Sequence, residues 1–245
     1  GLTEEEIVNN GYRIYTELDQ NYQASMQVIY SNVSLFPVAE DGTMAESGSV
    51  ALDPKTGGVR ALVGRVNSAE GSTFRSFNYA TQSARSPGST IKPLAVYGPA
   101  IQENLINPST VIPDTEFTQT FEDGTTWSPT NYGNVVSGGA ESARVALYKS
   151  DNLPAVRVYQ EMQKRSVDVM GYLEKMGFNP AASYTPEDIK NLAFAIGGVS
   201  SGPTVLEETR AFATFANNGN YHGGYFIDRI EDAAGKVVFQ HQSNP

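Results

Sequence analysis

Two short stretches of this 245-residue chain carry side chains that could act together on a carbonyl group. The first is Ser89-Thr90-Ile91-Lys92. A serine hydroxyl is a weak nucleophile until a base takes its proton. Residues three apart on a helix share a face, so Lys92 would stand one turn from Ser89 with its amine in reach of the hydroxyl. Burial disfavours a charged lysine, and a neutral Lys92 is a competent general base. Pro87-Gly88 fits a helix starting at or next to Ser89, where unpaired backbone N–H groups suit a developing oxyanion. Pro93 costs a helix hydrogen bond that is bearable only near the first turn. The second stretch is Ser150-Asp151-Asn152. As plain structure it reads as a helix N-cap, a position all three residue types favour. As chemistry, the Ser150 hydroxyl relays a proton and the Asn152 amide binds a substrate. Each stretch alone is common by chance.

The elements around these residues are a mixture of helices and short strands. Residues 19–31 read as a helix capped by Asp19, with Tyr22, Met26, Ile29 and Tyr30 at helical spacing. Ser49 to Leu52 and Val59 to Val63 read as a hairpin around the turn residues Asp53 to Gly58. Residues 66–88 read as loop and 103–139 as irregular. Helices are expected over 141–149, 153–164 and 166–176, so Ser150-Asp151-Asn152 falls in a break. Thr204-Val205-Leu206-Glu207 has capping-box form and should open a helix to about Asn217. Tyr225 to Phe239 reads as two strands around a turn at 232–235. The expected class is α+β, with helices packed on a small antiparallel sheet.

Composition narrows the function. Hydrophobic residues make up 40% and the net charge is −10, which permits a sizeable core and disfavours nucleic acid as a partner. The chain has no cysteine, so disulfides and thiolate metal sites are excluded. Two widely spaced histidines, His222 and His241, do not suggest a metal cluster. His222 lies among Gly and Asn and reads as a surface residue. No apolar run reaches the roughly 20 residues a membrane span needs.

In this order, S-x-x-K and S-D-N match two of the three motifs of the penicillin-recognising serine enzymes. The chain resembles the transpeptidase domain of a class A penicillin-binding protein over nearly its whole length. Gly11 to Asp19 resembles the linker entering that domain, and Val50 to Gly64 its first hairpin. Ser86 to Pro93 resembles the nucleophile segment. Trp127 to Tyr132 and Ser150 to Val156 resemble the second-motif region, and Ala195 to Gly219 the helix after it. The resemblance implies residues 1–18 as a linker from a preceding glycosyltransferase domain and 19–245 as the transpeptidase domain. It implies a penicillin-binding, serine β-lactamase-like fold. It implies that Ser89 attacks the D-Ala-D-Ala carbonyl of a peptidoglycan stem peptide, Lys92 is the base, Ser150 passes a proton to the leaving amine, and Asn152 hydrogen-bonds the substrate amide. An acceptor amine then resolves the acyl-enzyme, and β-lactam antibiotics acylate the same serine. The implied location is the extracytoplasmic face of the bacterial plasma membrane, anchored by an N-terminal segment outside this chain.

The third motif departs from the pattern. Lys55-Thr56-Gly57 is a literal K-T-G, but it precedes Ser89 and sits in hairpin-turn chemistry, so it reads as structural. No such triplet follows Asn152. The expectation is a domain truncated before its third motif, lacking the last sheet strands, leaving the 49–63 hairpin an unpaired edge, and completed by a C-terminal remainder. A serine β-lactamase shares the first two motifs, but Glu187 and Asn191 lack the spacing of its deacylating glutamate pattern. A β-lactam sensor without catalysis is the non-enzyme alternative, and slow or fast release of bound penicillin separates transpeptidase from β-lactamase. A Ser-His-Asp hydrolase is disfavoured by the lack of G-x-S-x-G. Residues 1–245 alone should therefore react slowly with penicillin; fast stoichiometric labelling of Ser89, seen by intact-protein mass spectrometry, would overturn this.

Overall fold

The computed structural model describes residues 3–66, 76–179 and 182–242. Part of the loop expected over 66–88 lies outside these residues. The chain divides into two compact units: residues 1–83 with 204–245, and residues 84–203.

The first unit joins both ends of the chain. Arg13–Thr16 pairs antiparallel with Ile227–Glu231, which pairs antiparallel with Val237–Gln240, giving a three-stranded sheet. Within the segment expected as a linker, Glu4–Asn9 is helical behind a Thr3/Glu6 capping box. Ser49–Leu52 and Val59–Val63 form the expected hairpin. Its turn holds Lys55-Thr56-Gly57: Asp53 Oδ1 accepts from the Lys55 N–H at 2.9 Å, and Gly57 has φ +81°, a value that favours glycine. This K-T-G is a turn, as its sequence context requires.

The Gln20–Ser31 helix, capped by Asp19, runs beside Val59–Val63. The Gln23 amide both donates to and accepts from the backbone of Leu62, closing that strand's outer edge. Tyr30 and Met26 pack on Val63 and Val66. Tyr22 and Ile29 stay exposed, because the helix covers only one strand and buries a narrow stripe. Among the described residues Ser49–Leu52 has no ladder partner besides Val59–Val63. The Val205–Ala216 helix opens on the expected Thr204/Glu207 capping box and packs on Ser49–Leu52. His222 is half-buried rather than a surface residue, with its Cβ close to where a Gly57 side chain would project.

The second unit is mainly helical. Its centre is the Asn152–Lys164 helix, which buries Leu153, Val156, Tyr159 and Met162. Tyr159, Phe194, Tyr184 and Phe178 stack in tilted and edge contacts, each ring centroid within 5.8 Å of the next. Val111–Asp114 pairs with Gly139–Ser142, and Gln119–Thr120 with Thr126–Trp127. Three of these strands fall in the stretch expected to be irregular, and Gly139–Ser142 takes the first two residues of the helix expected over 141–149; strands this short show no period of two in sequence.

The segment after Pro87 differs from the plain α-helix expected. Gly88–Thr90 is a 3₁₀ turn, Lys92–Tyr97 is π-helical and Gly98–Gln102 is α-helical. Pro93 and Pro99 lack the N–H groups that a regular α-helix would use, and the Gly98 N–H reaches Pro93 O in a five-residue step. Val169–Lys175 and Pro186–Lys190 are further helices, and Leu192–Ile196 is a 3₁₀ turn ending at Gly197.

Candidate active site

All four predicted site residues lie in the second unit, and the structure brings three of them into direct contact. Lys92 is the centre. It opens the π-helical turn and is 1% exposed, nearly as buried as the apolar Ile91 and Leu94. An amine so placed must find every partner inside the protein. It donates to the Ser150 carbonyl at 2.6 Å and to Asn152 Oδ1 at 2.7 Å, with Ser150 Oγ at 3.2 Å. Burial pushes its pKa down from 10.5 to about 8, against the opposing pull of the Asp151 charge. A neutral amine has two hydrogens and one lone pair. The two short contacts use the hydrogens, which leaves the lone pair for a hydroxyl.

Ser89 sits in the 3₁₀ turn just before Lys92 and is exposed. The helical backbone continues from this 3₁₀ turn through Ile91 into the π-helical turn, so positions 89 and 92 lie about one turn apart. The segment is held from below. Ser86 Oγ donates to Gly197 O at 2.5 Å. Gly197 comes so close that a Cβ there would lie 2.4 Å from Gly88 Cα, and one at Gly202 would lie 1.9 Å from Arg85 O. Both glycines have positive φ, at +90° and +108°, so the chain can approach the serine segment only without side chains.

Ser150 closes the Ala143–Lys149 helix in the left-handed region, at φ 62° and ψ 36°. For a non-glycine residue this costs about 1–2 kcal/mol. That conformation lets both its carbonyl and its hydroxyl meet Lys92. Asn152 begins the next helix, and its Nδ2 donates to Thr130 O at 2.7 Å.

Sequence reasoning missed what holds this arrangement. Asp151 occupies the N-cap of the Asn152–Lys164 helix yet makes no side-chain cap bond. The cap comes from Asn131, whose Oδ1 accepts from the Asn152 and Leu153 N–H groups at 2.8 and 3.0 Å. Asn131 Nδ2 donates to Asp114 Oδ1 at 2.7 Å and to Val135 O. Asp114 Oδ2 in turn accepts from the Ser137 N–H at 2.7 Å. Burial works to raise the Asp114 pKa, but the bonds from Ser137 and Asn131 outweigh it and hold the carboxyl below its usual range. Asn131 stands in the Trp127–Tyr132 stretch singled out above, but no local spacing couples it to residue 152. A cleft of about 320 Å³ opens beside this group, bounded by Phe117, Pro129, Thr130, Asn131, Val136 and Leu153. Arg157 steadies one wall, donating to Thr115 O and Glu116 O while lying over the Phe117 ring. Glu187 is exposed on the Pro186–Lys190 helix. Among the described residues one group of acids, Asp114, Glu141 and Asp151, brings carboxylate oxygens within 4.8 Å of one another.

Comparison with known proteins places the chain in a family. Residues 48–245 match the model of the penicillin binding protein transpeptidase domain. Penicillin-binding protein 2a of Streptococcus pneumoniae is 46% identical over 244 residues, covering 99% of this chain and 31% of the relative. Penicillin-binding protein 1F of Bacillus subtilis is 32% identical, covering 98% of this chain and 31% of the relative. The chain thus spans about a third of the length of these relatives. The crystal structure of penicillin-binding protein 1A from Haemophilus influenzae superposes with a TM-score of 0.68 at 28% identity, covering 85% of this chain and 30% of that one.

Asn131→Ala would leave two helix N–H groups and one Asp114 oxygen unpaired in a buried setting. The expected cost is about 2–3 kcal/mol in urea unfolding; a loss below about 0.5 kcal/mol would show that Asn131 does not support the loop.

Proposed function

This chain belongs to the penicillin-binding protein transpeptidase domain family, and on that footing we propose that it carries the acyl-transfer centre of a peptidoglycan D,D-transpeptidase. The observation that carries the reading is the buried Lys92 amine joined to Ser150 and Asn152. Ser89 Oγ attacks the carbonyl of the penultimate D-alanine of a donor stem peptide as Lys92 takes its proton. The C–N bond breaks, Ser150 relays the proton held by Lys92 to the departing D-alanine amine, and a serine ester remains. The amine of a second stem peptide then attacks the ester, forms the cross-link and returns the proton to Ser89. Asn152 positions the donor amide. Its side-chain amide is fixed by Lys92 on one atom and Thr130 O on the other, so it presents one orientation.

A β-lactam presents a strained amide in place of the donor peptide; its ring C–N bond opens and the whole opened molecule stays as an ester on the same Ser89. The proposed setting is the bacterial cell wall, with the rest of the protein supplying its membrane attachment, and the remaining site groups coming from the third-motif segment. These roles draw on the family membership and on the contacts of Lys92 with Ser150 and Asn152.

In the full-length protein Ser89→Ala should abolish penicillin labelling. Labelling of the unsubstituted protein should rise with pH and level off above about 8, where Lys92 is neutral. Lys92→Ala should slow acylation by about 10²–10⁴-fold and remove that limb of the profile. Stoichiometric penicillin attachment in Ser89→Ala, located by peptide mapping to another residue, would overturn the assignment.

A further inference from the structure

The middle residue of Ser150-Asp151-Asn152 has no place in the chemistry above, yet its carboxyl is packed among other charges. Asp114 and Glu141 project from the same face of the Val111–Asp114 and Gly139–Ser142 ladder, where Glu141 stands opposite Ile112. Asp151 meets them from the break between the two helices, with carboxylate oxygens of all three within 4.8 Å of one another. Three anions this close repel strongly unless something neutralises them.

The neutralising group can be found by accounting for each oxygen. Both Asp114 oxygens already accept, from Asn131 and from Ser137. Lys149 holds Glu141 Oε1 at 2.5 Å. The Glu141 side chain is only 10% exposed, and its Oε2 is buried with no donor. Asp151 has a carboxylate oxygen within 4.8 Å of one on Glu141 and makes no helix-cap bond. Two carboxylates cannot bond each other unless one carries a proton.

We propose that Glu141 and Asp151 share one proton as a carboxyl–carboxylate pair, and that this clasp positions the Ser150-Asp151-Asn152 turn against Lys92. The two are positioning residues, acting through Ser150 and Asn152 rather than on substrate. The charges facing Asp151 agree. Burial raises its pKa first, then the Asp114 and Glu141 charges, with Lys149 opposing. Lys92 and Tyr97 also sense its charge from the helical turn behind. Ser150 needs such support because its left-handed backbone is strained and its carbonyl must stay on Lys92. An acid whose pKa is raised in the folded state binds its proton more tightly there. Stability from the clasp is therefore greatest at low pH and declines as pH rises from the ordinary carboxylate range through the raised value.

The inference rests on the acyl-transfer reading for its kinetic arm but not for its stability arm. Fluorescent penicillin acylation of the full-length protein would be measured from pH 4, the ordinary carboxylate range, to pH 8.5, beside the melting temperature over the same range. In the unsubstituted protein, loss of the shared proton opposes the gain from neutral Lys92. Glu141→Gln replaces the shared proton with a permanent amide donor, so the ratio of acylation rates at high and low pH should increase several-fold. The decline of melting temperature with pH should shrink by at least half. Glu141→Ala should acylate slowly at every pH, and Glu141→Gln should restore most of the rate. An unchanged rate ratio and an unchanged melting-temperature slope in Glu141→Gln would overturn the clasp, and should Glu141→Ala fail to fold, that variant still decides it. So would acylation or melting that collapses on EDTA dialysis and returns with calcium, which would place a cation there instead. If no variant or parent protein reacts with penicillin, the acyl-transfer reading fails while the melting-temperature slopes still judge the clasp.

Discussion

A lysine side chain that is 1% exposed must give up the solvation of its charge, and the site is arranged around that constraint. Water cannot supply partners to Lys92, so the protein does, with the carbonyl of Ser150 and the amide oxygen of Asn152. The same burial brings the pKa to about 8 and makes the amine available as a base near neutral pH. Stability and chemistry thus draw on one arrangement. Were Lys92 solvated, it would hold its proton and have no need of the Ser150-Asp151-Asn152 turn. Were the turn displaced, a buried amine would be left without acceptors.

The rest of the unit can be understood as what keeps that turn in place. Ser150 adopts a left-handed backbone without being glycine, so its neighbours must hold it there. Asn131 does so from a distant segment, capping the helix that Asn152 begins and tying the cap to Asp114 on a strand. On the other side, Gly197 and Gly202 admit the chain close behind Ser86 and Gly88, which fixes where the exposed Ser89 emerges. The π-helical turn at Lys92 follows from Pro93 and Pro99, and widened turns of this kind are often found at functional sites.

Local patterns made part of this legible in the sequence. The Thr204/Glu207 capping box, the Asp19 cap and the hairpin around Lys55-Thr56-Gly57 rest on interactions within a few residues, and each stands where its pattern placed it. S-x-x-K and S-D-N singled out Lys92, Ser150 and Asn152, which the fold brings into contact. What escaped was non-local or too short to be periodic. Val111–Asp114 and Gly139–Ser142 pair across a long excursion, and only that pairing brings Asp114 and Glu141 to Asp151. Asn131 caps a helix that begins 21 residues later, a job the adjacent Asp151 would do on local grounds. Tyr22 and Ile29 had the spacing of buried residues but face outward, because helical period marks a stripe without saying how much of it is covered.

The central claim is that burial holds Lys92 neutral just above physiological pH. The direct measurement is a nuclear magnetic resonance titration of the Lys92 side-chain nitrogen in protein labelled at lysine. The account predicts a single transition near pH 8, with the neutral amine dominant above it. A Lys92 signal that stays charged until about 10.4, the value of a solvated lysine, would contradict it.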